Sequence, residues 1–466
     1  MPSALLETAR AIKAESGIAG EAPYTILVQM SDLAILGGKP VRNKPFPAWP
    51  QYDGRDRERL VTVLESRNWG GYPFPNLLAD EFARKFAAHH GARYGCCLAN
   101  GTIAILAALK AAGIGFGDEV IVPAYTWDGT ATAVLDAGAI PIFVDVDPDT
   151  YCMDVEVARQ ALTRRTKALL PVHLAMRFAE MDPLLKLAEE RDLIVIEDCA
   201  HVHGGQYKGR GAGSMGDIGC FSLQSSKLMT SGEGGIVITS RLDCFELVQS
   251  LVNCGRASVT DQFKKRIVGS NYRITEFQAA VLLGQLERLE ELAATRSRHA
   301  TLLTRMLAGI DGVRPLPAQP ALTREAIYNY VFQYRPADRR VSRDLFVAAL
   351  DAEGIPSDGR FYEPVYRSDL FGAKPEDFPQ LRIDREEPVN YRAFRCPVAE
   401  RAAYEESVWL PQFLLLGDEA DVEDIGRAVA KVMAGVDALA SEDMSLAGVK
   451  SMSRADRPRV EKEKNY

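Results

Sequence analysis

Apolar positions along this chain recur with a helical period in some segments and as short continuous runs in others. In NLLADEFARKFAAHHG (76–91), Leu77, Leu78, Phe82 and Phe86 fall on one helical face, and Gly91 is a natural stop. Helices and strands then alternate. TIAILAALKAAG predicts a helix, EVIVP (119–123) a buried strand and WDGTATAVLDAG a helix. IPIFVDV (140–146) and KALLPV (167–172) predict strands on either side of the helix DVEVARQAL. DPLLKLAEERD predicts a helix and LIVIED a further strand. Such alternation implies an α/β fold, with a mostly parallel central sheet covered by helices on both faces. A long helical stretch, 274–307, leads out of this region. The texture then changes to strand-like YNYVFQYRP and helix-like SRDLFVAALDAEG, as expected of a smaller C-terminal α+β domain. The expected organisation is an N-terminal arm over 1–48, a large domain over 49–290, a small domain over 291–436 and a polar, flexible tail over 437–466.

Composition narrows the function classes. A net charge of −8 argues against a general nucleic-acid surface. No apolar run reaches membrane-spanning length, so no membrane partner is expected. The first residues lack a basic stretch leading into an apolar one, so a cytoplasmic protein without a secretory signal is expected. The eight cysteines form no CxxC pair and read as reduced, packed thiols. The histidines show no metal-ligand spacing, and no metal site is expected.

The candidate chemistry lies in two neighbouring segments. LIVIEDCAHVHG (193–204) places Asp198 at the end of an apolar strand, and DIGCFSLQSSKLMTSGEGG follows with Lys227 in a Ser/Gly-rich stretch. A carboxylate at a strand's C-terminal end and a lysine nearby suit pyridoxal 5′-phosphate, which needs an amine for its aldehyde and an acid for its pyridinium nitrogen. Taken singly, Lys227 would be a solvated lysine and Asp198 a helix cap. Glu197, one residue earlier, points to the opposite face of the strand and is assigned no catalytic role. In NGT (100–102), Gly101 and Thr102 open a helix whose N-terminus suits an anion.

Six motifs in order, NGTIAILAAL (100–109), VPAYTW (122–127), IEDCAHVHG (196–204), GDIGCFSLQSSK (216–227), GEGG (232–235) and NYRITEFQAA (271–280), resemble the DegT/DnrJ/EryC1/StrS aminotransferases. These act on sugars and cyclitols with pyridoxal phosphate on the fold-type-I scaffold. The resemblance runs from about 33 to 417. It implies that Lys227 is the Schiff-base lysine and that Asp198 meets the ring nitrogen. It also implies that Gly101, Thr102 and Ser222 meet the phosphate, that Trp127 stacks on the ring, and that His201 lies against the ring or its phenolic oxygen, with His203 a weaker candidate. Asn271 would reach the phosphate of a neighbouring subunit, making the protein a homodimer with shared active sites, and Arg273 would serve the interface.

The implied reaction moves an amino group from glutamine or glutamate to a cyclic ketone, a keto-cyclitol or keto-sugar, in secondary-metabolite (antibiotic) biosynthesis. The alternatives are a dehydrating, aromatising enzyme of the aminohydroxybenzoate-synthase type and a nucleotide-sugar aminotransferase. The chain departs from the nucleotide-sugar wording at HLAMRFAEMD (173–182), where a usual Tyr-Gly pair is missing. SSKLMTSGEGG is closer to the aminocyclitol and aminohydroxybenzoate branch. A free cyclic ketone is therefore the favoured acceptor. Arg177, new in the altered loop, is expected to be solvated.

Overall fold

The computed structural model describes residues 33–71, 74–256, 266–337, 340–372, 377–383 and 387–441. The N-terminal stretch 1–32 and most of the expected tail, 442–466, lie outside the described residues.

Seven strands form the central sheet, in the order Tyr94–Leu98, Gly235–Thr239, Ile218–Ser222, Ile194–Asp198, Thr166–Leu169, Glu119–Pro123 and Ile140–Val144. Only Gly235–Thr239 runs against the rest: it pairs antiparallel with both neighbours, and the pairs from Ile218–Ser222 to Ile140–Val144 are parallel. Glu119–Pro123 is buried at every position, as a central parallel strand between helical layers should be. The helix Gly101–Ala111 is buried continuously from Ala104 to Leu109, because it packs against the sheet and between the helices Asp128–Asp136 and Leu242–Val252. This is why its sequence is apolar all round rather than striped. The helix expected at 76–91 runs over Leu77–His90, and Gly91 closes it in the left-handed conformation, φ 82°.

A second, antiparallel sheet of Val313–Pro315, Asn329–Tyr334 and Ser407–Pro411 carries the helices Arg343–Ala352 and Glu419–Ala434. The helix Glu276–Leu307 joins the two parts. At 32 residues it is about 48 Å long. It opens with a capping box in which Thr275 and Gln278 satisfy each other's backbone N–H groups. The expected boundary at 290/291 thus falls inside one continuous helix. Its last turns, at Ala300, Leu303 and Leu307, belong to the second core. Short pairings at Gln206–Tyr207, Arg210–Gly211 and Leu322–Arg324, and a π-turn at Ala402–Glu406, had no signature in the sequence pattern.

Residues 33–48 pack onto the C-terminal part. Leu33 enters its core, and the Arg42 guanidinium bonds Asp421 at 2.8 Å and Asp424 at 2.9 Å. The buried Glu353 carboxylate accepts N–H bonds from Ala34 and Val41, each at 2.9 Å, and pairs with Lys431 at 2.8 Å. Glu353→Ala removes a fully buried partner, leaving two amides without their acceptor and the Lys431 ammonium with only the Lys39 carbonyl at 2.7 Å. It is expected to lower unfolding stability by about 3 kcal/mol, read as an earlier urea midpoint with faster amide exchange at Ala34 and Val41.

Arg177 is not solvated, contrary to the expectation from its charge. It is 4% exposed, and its guanidinium donates to the carbonyls of Met176 (3.1 Å) and Leu316 (3.0 Å). It ties the altered loop to the strand region at 316, and burial lowers its pKa. Among the described residues no helix is long and apolar enough to cross a membrane.

Candidate active site

Asp198 ends the strand Ile194–Asp198 and faces a cavity of about 750 Å³. Thr130 donates its hydroxyl to Oδ2 at 2.9 Å, and the Ala200 N–H donates to Oδ1 at 3.1 Å. Burial pushes the Asp198 pKa up, while these two donors and the Lys227 charge oppose the rise. The carboxylate is therefore oriented but under-compensated, the condition in which a buried acid favours a cation beside it.

Glu197 points the other way, as the alternation of the strand requires. Its carboxylate accepts N–H bonds from Gly213 (3.0 Å), Met215 (2.8 Å) and Gly216 (2.6 Å), and His173 Nε2 lies 3.0 Å away. Because His173 Nδ1 accepts the Ala179 N–H at 3.1 Å, its proton sits on Nε2 and is donated to Glu197. Among the described residues, His173, Glu197 and Cys199 are the one group with metal-ligand spacing. Burial holds the Cys199 thiol in its protonated form and the carboxylate already has four donors, so the cluster is a structural clasp.

Lys227 follows a turn closed by its own N–H to the Gln224 carbonyl at 2.9 Å. It is 9% exposed, and its ammonium lies over the Tyr328 ring, 4.4 Å from the centroid. At the far end of the cavity the helix Gly101–Ala111 begins. Asn100 caps it through the Ile103 N–H at 2.9 Å, and the amides of Gly101 and Thr102 belong to the first turn, where helices have no internal acceptor. Gly101 is needed for close approach: a Cβ there would lie 2.7 Å from the Cβ of Ser222 on the adjoining strand. Trp127 sits at the mouth, 61% exposed, so a broad apolar ring is left uncovered beside the cavity.

Of the residues expected at the cofactor, Gly101, Thr102, Trp127, Asp198, His201, Ser222 and Lys227 all line this one cavity. His203 is buried behind it, with Nε2 against the Ser222 carbonyl at 2.8 Å, and its pKa is pushed down to about 3 by burial. Asn271 does not line it. It is exposed and forms a bridge with Asn253, whose side chain accepts from Arg273 at 2.8 Å. Among the further lining residues that escaped the sequence reading are Thr130, Tyr328, Phe361 and Tyr362. The last three arrive from the C-terminal part, and no local spacing marks them.

Most of the chain is also similar to known proteins. The model of the DegT/DnrJ/EryC1/StrS aminotransferase family matches residues 50–430. The chain belongs to this family. A Streptoalloteichus tenebrarius protein named "Putative L-glutamine:3-amino-2,3-dideoxy-scyllo-inosose aminotransferase" is 45% identical over 413 residues, covering 88% of this chain and 99% of the relative. L-glutamine:2-deoxy-scyllo-inosose aminotransferase of Streptomyces paromomycinus is 38% identical over 415 residues, covering 86% and 97%. The crystal structure of 3-amino-5-hydroxybenzoic acid synthase superposes with a TM-score of 0.75 at 36% identity, covering 84% of this chain and 99% of that one. Aminotransferases of the family depend on pyridoxal 5′-phosphate, and this chain is such an enzyme. Its own residues fit the cofactor: a helix N-terminus with a glycine cradle for a phosphate, an under-compensated carboxylate for a pyridinium, an uncovered indole for a ring face and a buried amine for an aldehyde.

Proposed function

We propose that the enzyme moves the amino group of glutamine or glutamate to a free cyclic ketone of the cyclitol type. The observation that carries this reading is the convergence of Lys227, Asp198 and the Gly101 helix terminus on one cavity, in a chain similar over nearly its whole described length to glutamine:scyllo-inosose aminotransferases.

Bound pyridoxal phosphate supplies an aldehyde that accepts the amino group and a ring that withdraws electrons from the substrate's α-carbon. The Gly101 and Thr102 amides and the Ser222 hydroxyl would hold its phosphate, and the Trp127 ring would lie against its pyridine. Asp198, fixed by Thr130 and Ala200, would take the ring N–H and keep that nitrogen charged. Lys227 would supply the amine for the aldehyde and, when free, would take a proton from the donor's α-carbon and return one to the acceptor carbon.

A second cavity of about 1000 Å³ adjoins the first, sharing Gln224, Ser226, Tyr328 and Phe361. Its aromatic and cationic lining, with Phe46, Trp49, Lys44 and Arg360, assembles contacts that no single segment suggested for a nucleotide. Lys44 pairs with Asp421 and Arg360 with Glu363. The test is spectroscopic. Enzyme bleached with glutamine should recover its visible absorption with a keto-cyclitol and stay bleached with a keto-sugar nucleotide. The opposite pattern overturns the acceptor assignment and leaves the cofactor residues in place. An aromatising dehydration is the second reading, supported by the likeness to 3-amino-5-hydroxybenzoic acid synthase, and would reveal itself as a new aromatic ultraviolet band in the product.

We also propose a homodimer in which Asn271 serves the partner's phosphate. Supporting this, Asn271 is exposed, as are the large apolar side chains Leu64, Trp69, Phe74 and Leu77, of which Trp69 packs against Phe277 at the start of the long helix. Co-expressed Lys227→Ala and Asn271→Ala chains, each inactive alone, should regain activity in heterodimers, because one site then has both residues. No rescue in verified heterodimers would mean that each site is built from one chain.

A further inference from the structure

The altered loop 173–182 reaches the cavity through one backbone amide. Ala175 adopts φ 56°, a left-handed conformation uncommon for a residue with a Cβ. In that conformation its carbonyl accepts the Tyr328 N–H at 2.9 Å, and its own N–H donates to His201 Nδ1 at 3.1 Å. A ring nitrogen that accepts an N–H carries no proton. Burial and the neighbouring Lys227 charge hold His201 neutral, so its single proton is on Nε2. Packing of the imidazole on the Tyr328 ring, 4.1 Å between centroids, keeps it from turning over.

Nε2 faces the Tyr362 hydroxyl at 3.1 Å. The imidazole is therefore the donor in this bond and the phenol oxygen the acceptor. The hydrogen of the phenol points away from His201, on a side chain that lines the cavity and is itself buried. Burial raises the pKa of Tyr362, so the hydroxyl retains that hydrogen. The residues that fit the cofactor all come from 101–227, whereas Tyr362 closes the cavity together with Tyr328 and Phe361 from the C-terminal part. That is the wall left for the substrate.

We infer that Tyr362 is a specificity-determining residue, whose hydroxyl donates to an oxygen of the bound cyclic ketone and favours acceptors that carry an oxygen at that point. The inference rests on the proposed acceptor class. A polyhydroxylated ketone presents oxygens to every wall, and a wall offering a fixed, buried donor discriminates against an analogue that lacks the matching oxygen, because the donor is then left unpaired.

Two measurements test it. In nitrogen-15 spectra of the holoenzyme, with the His201 signals assigned by their loss in His201→Asn, Nε2 should be protonated and Nδ1 not. The reverse tautomer would make Tyr362 the donor to His201 and overturn the inference. In Tyr362→Phe, cofactor loading and the glutamine-driven spectral change should stay within about twofold, while KM for the keto-cyclitol rises about tenfold and kcat changes less. A deoxy analogue lacking the contacted oxygen should show no such rise, its KM with Tyr362→Phe being equal to or lower than with the wild type, whose donor it leaves unpaired. An unchanged KM overturns the inference. So does a parallel loss of cofactor loading or of the glutamine step, which would put the hydroxyl on the cofactor. Should the wild type use no cyclic ketone, the acceptor reading itself falls, and the tautomer still decides the direction of the bond independently.

Discussion

Replacing Lys227 by alanine is expected to lower turnover by at least about a thousandfold, within the range that positioned acid–base groups supply. Among the described residues no other lysine lines the cavity that holds Asp198, and Lys227 is buried there over the Tyr328 ring. The Gly101 helix terminus, Ser222, Trp127 and Asp198 are untouched by the substitution, so cofactor should still bind. Steady-state rates with glutamine and a keto-cyclitol, together with the bound-cofactor stoichiometry, check both halves of this expectation. Retained cofactor with near-normal turnover would remove Lys227 from the chemistry.

Asp198→Ala and Asp198→Asn should each lower turnover by about a hundredfold or more, since a buried charged hydrogen bond of about 3 kcal/mol is lost where the reaction needs it. The asparagine variant is the more telling. An amide can still accept the Ala200 N–H and donate to the Thr130 hydroxyl, which is itself linked to Thr126 at 3.0 Å, so the local geometry has a way to persist. What disappears is the negative charge that keeps a ring nitrogen protonated. A folded, cofactor-loaded Asp198→Asn enzyme with normal rates would show that another acid does this work.

The strand ending at Asp198, the turn carrying Lys227 and the helix opening at Gly101 were legible because each is continuous in sequence, with an apolar run and a small-residue stretch side by side. Thr130 was not, because its value lies in one hydrogen bond from its helix to a residue at the end of a strand. Tyr328 and Tyr362 return to the cavity from more than a hundred residues beyond Lys227, a distance over which spacing carries no information. Arg177 was misread for a related reason: the carbonyl of Leu316 that satisfies it is remote in the chain, and charge alone suggests solvent. Residues 33–48 read as an arm, yet Arg42 and the amides of Ala34 and Val41 bond acids of the C-terminal part, which only the folded chain brings near.

The most direct test is to reduce the cofactor-loaded enzyme with borohydride and map the modified peptide by mass. The account predicts reduced pyridoxal phosphate attached to Lys227 in the peptide around SSKLMTSGEGG. Attachment to a different lysine, or a fully loaded protein that retains no label after reduction, would contradict it.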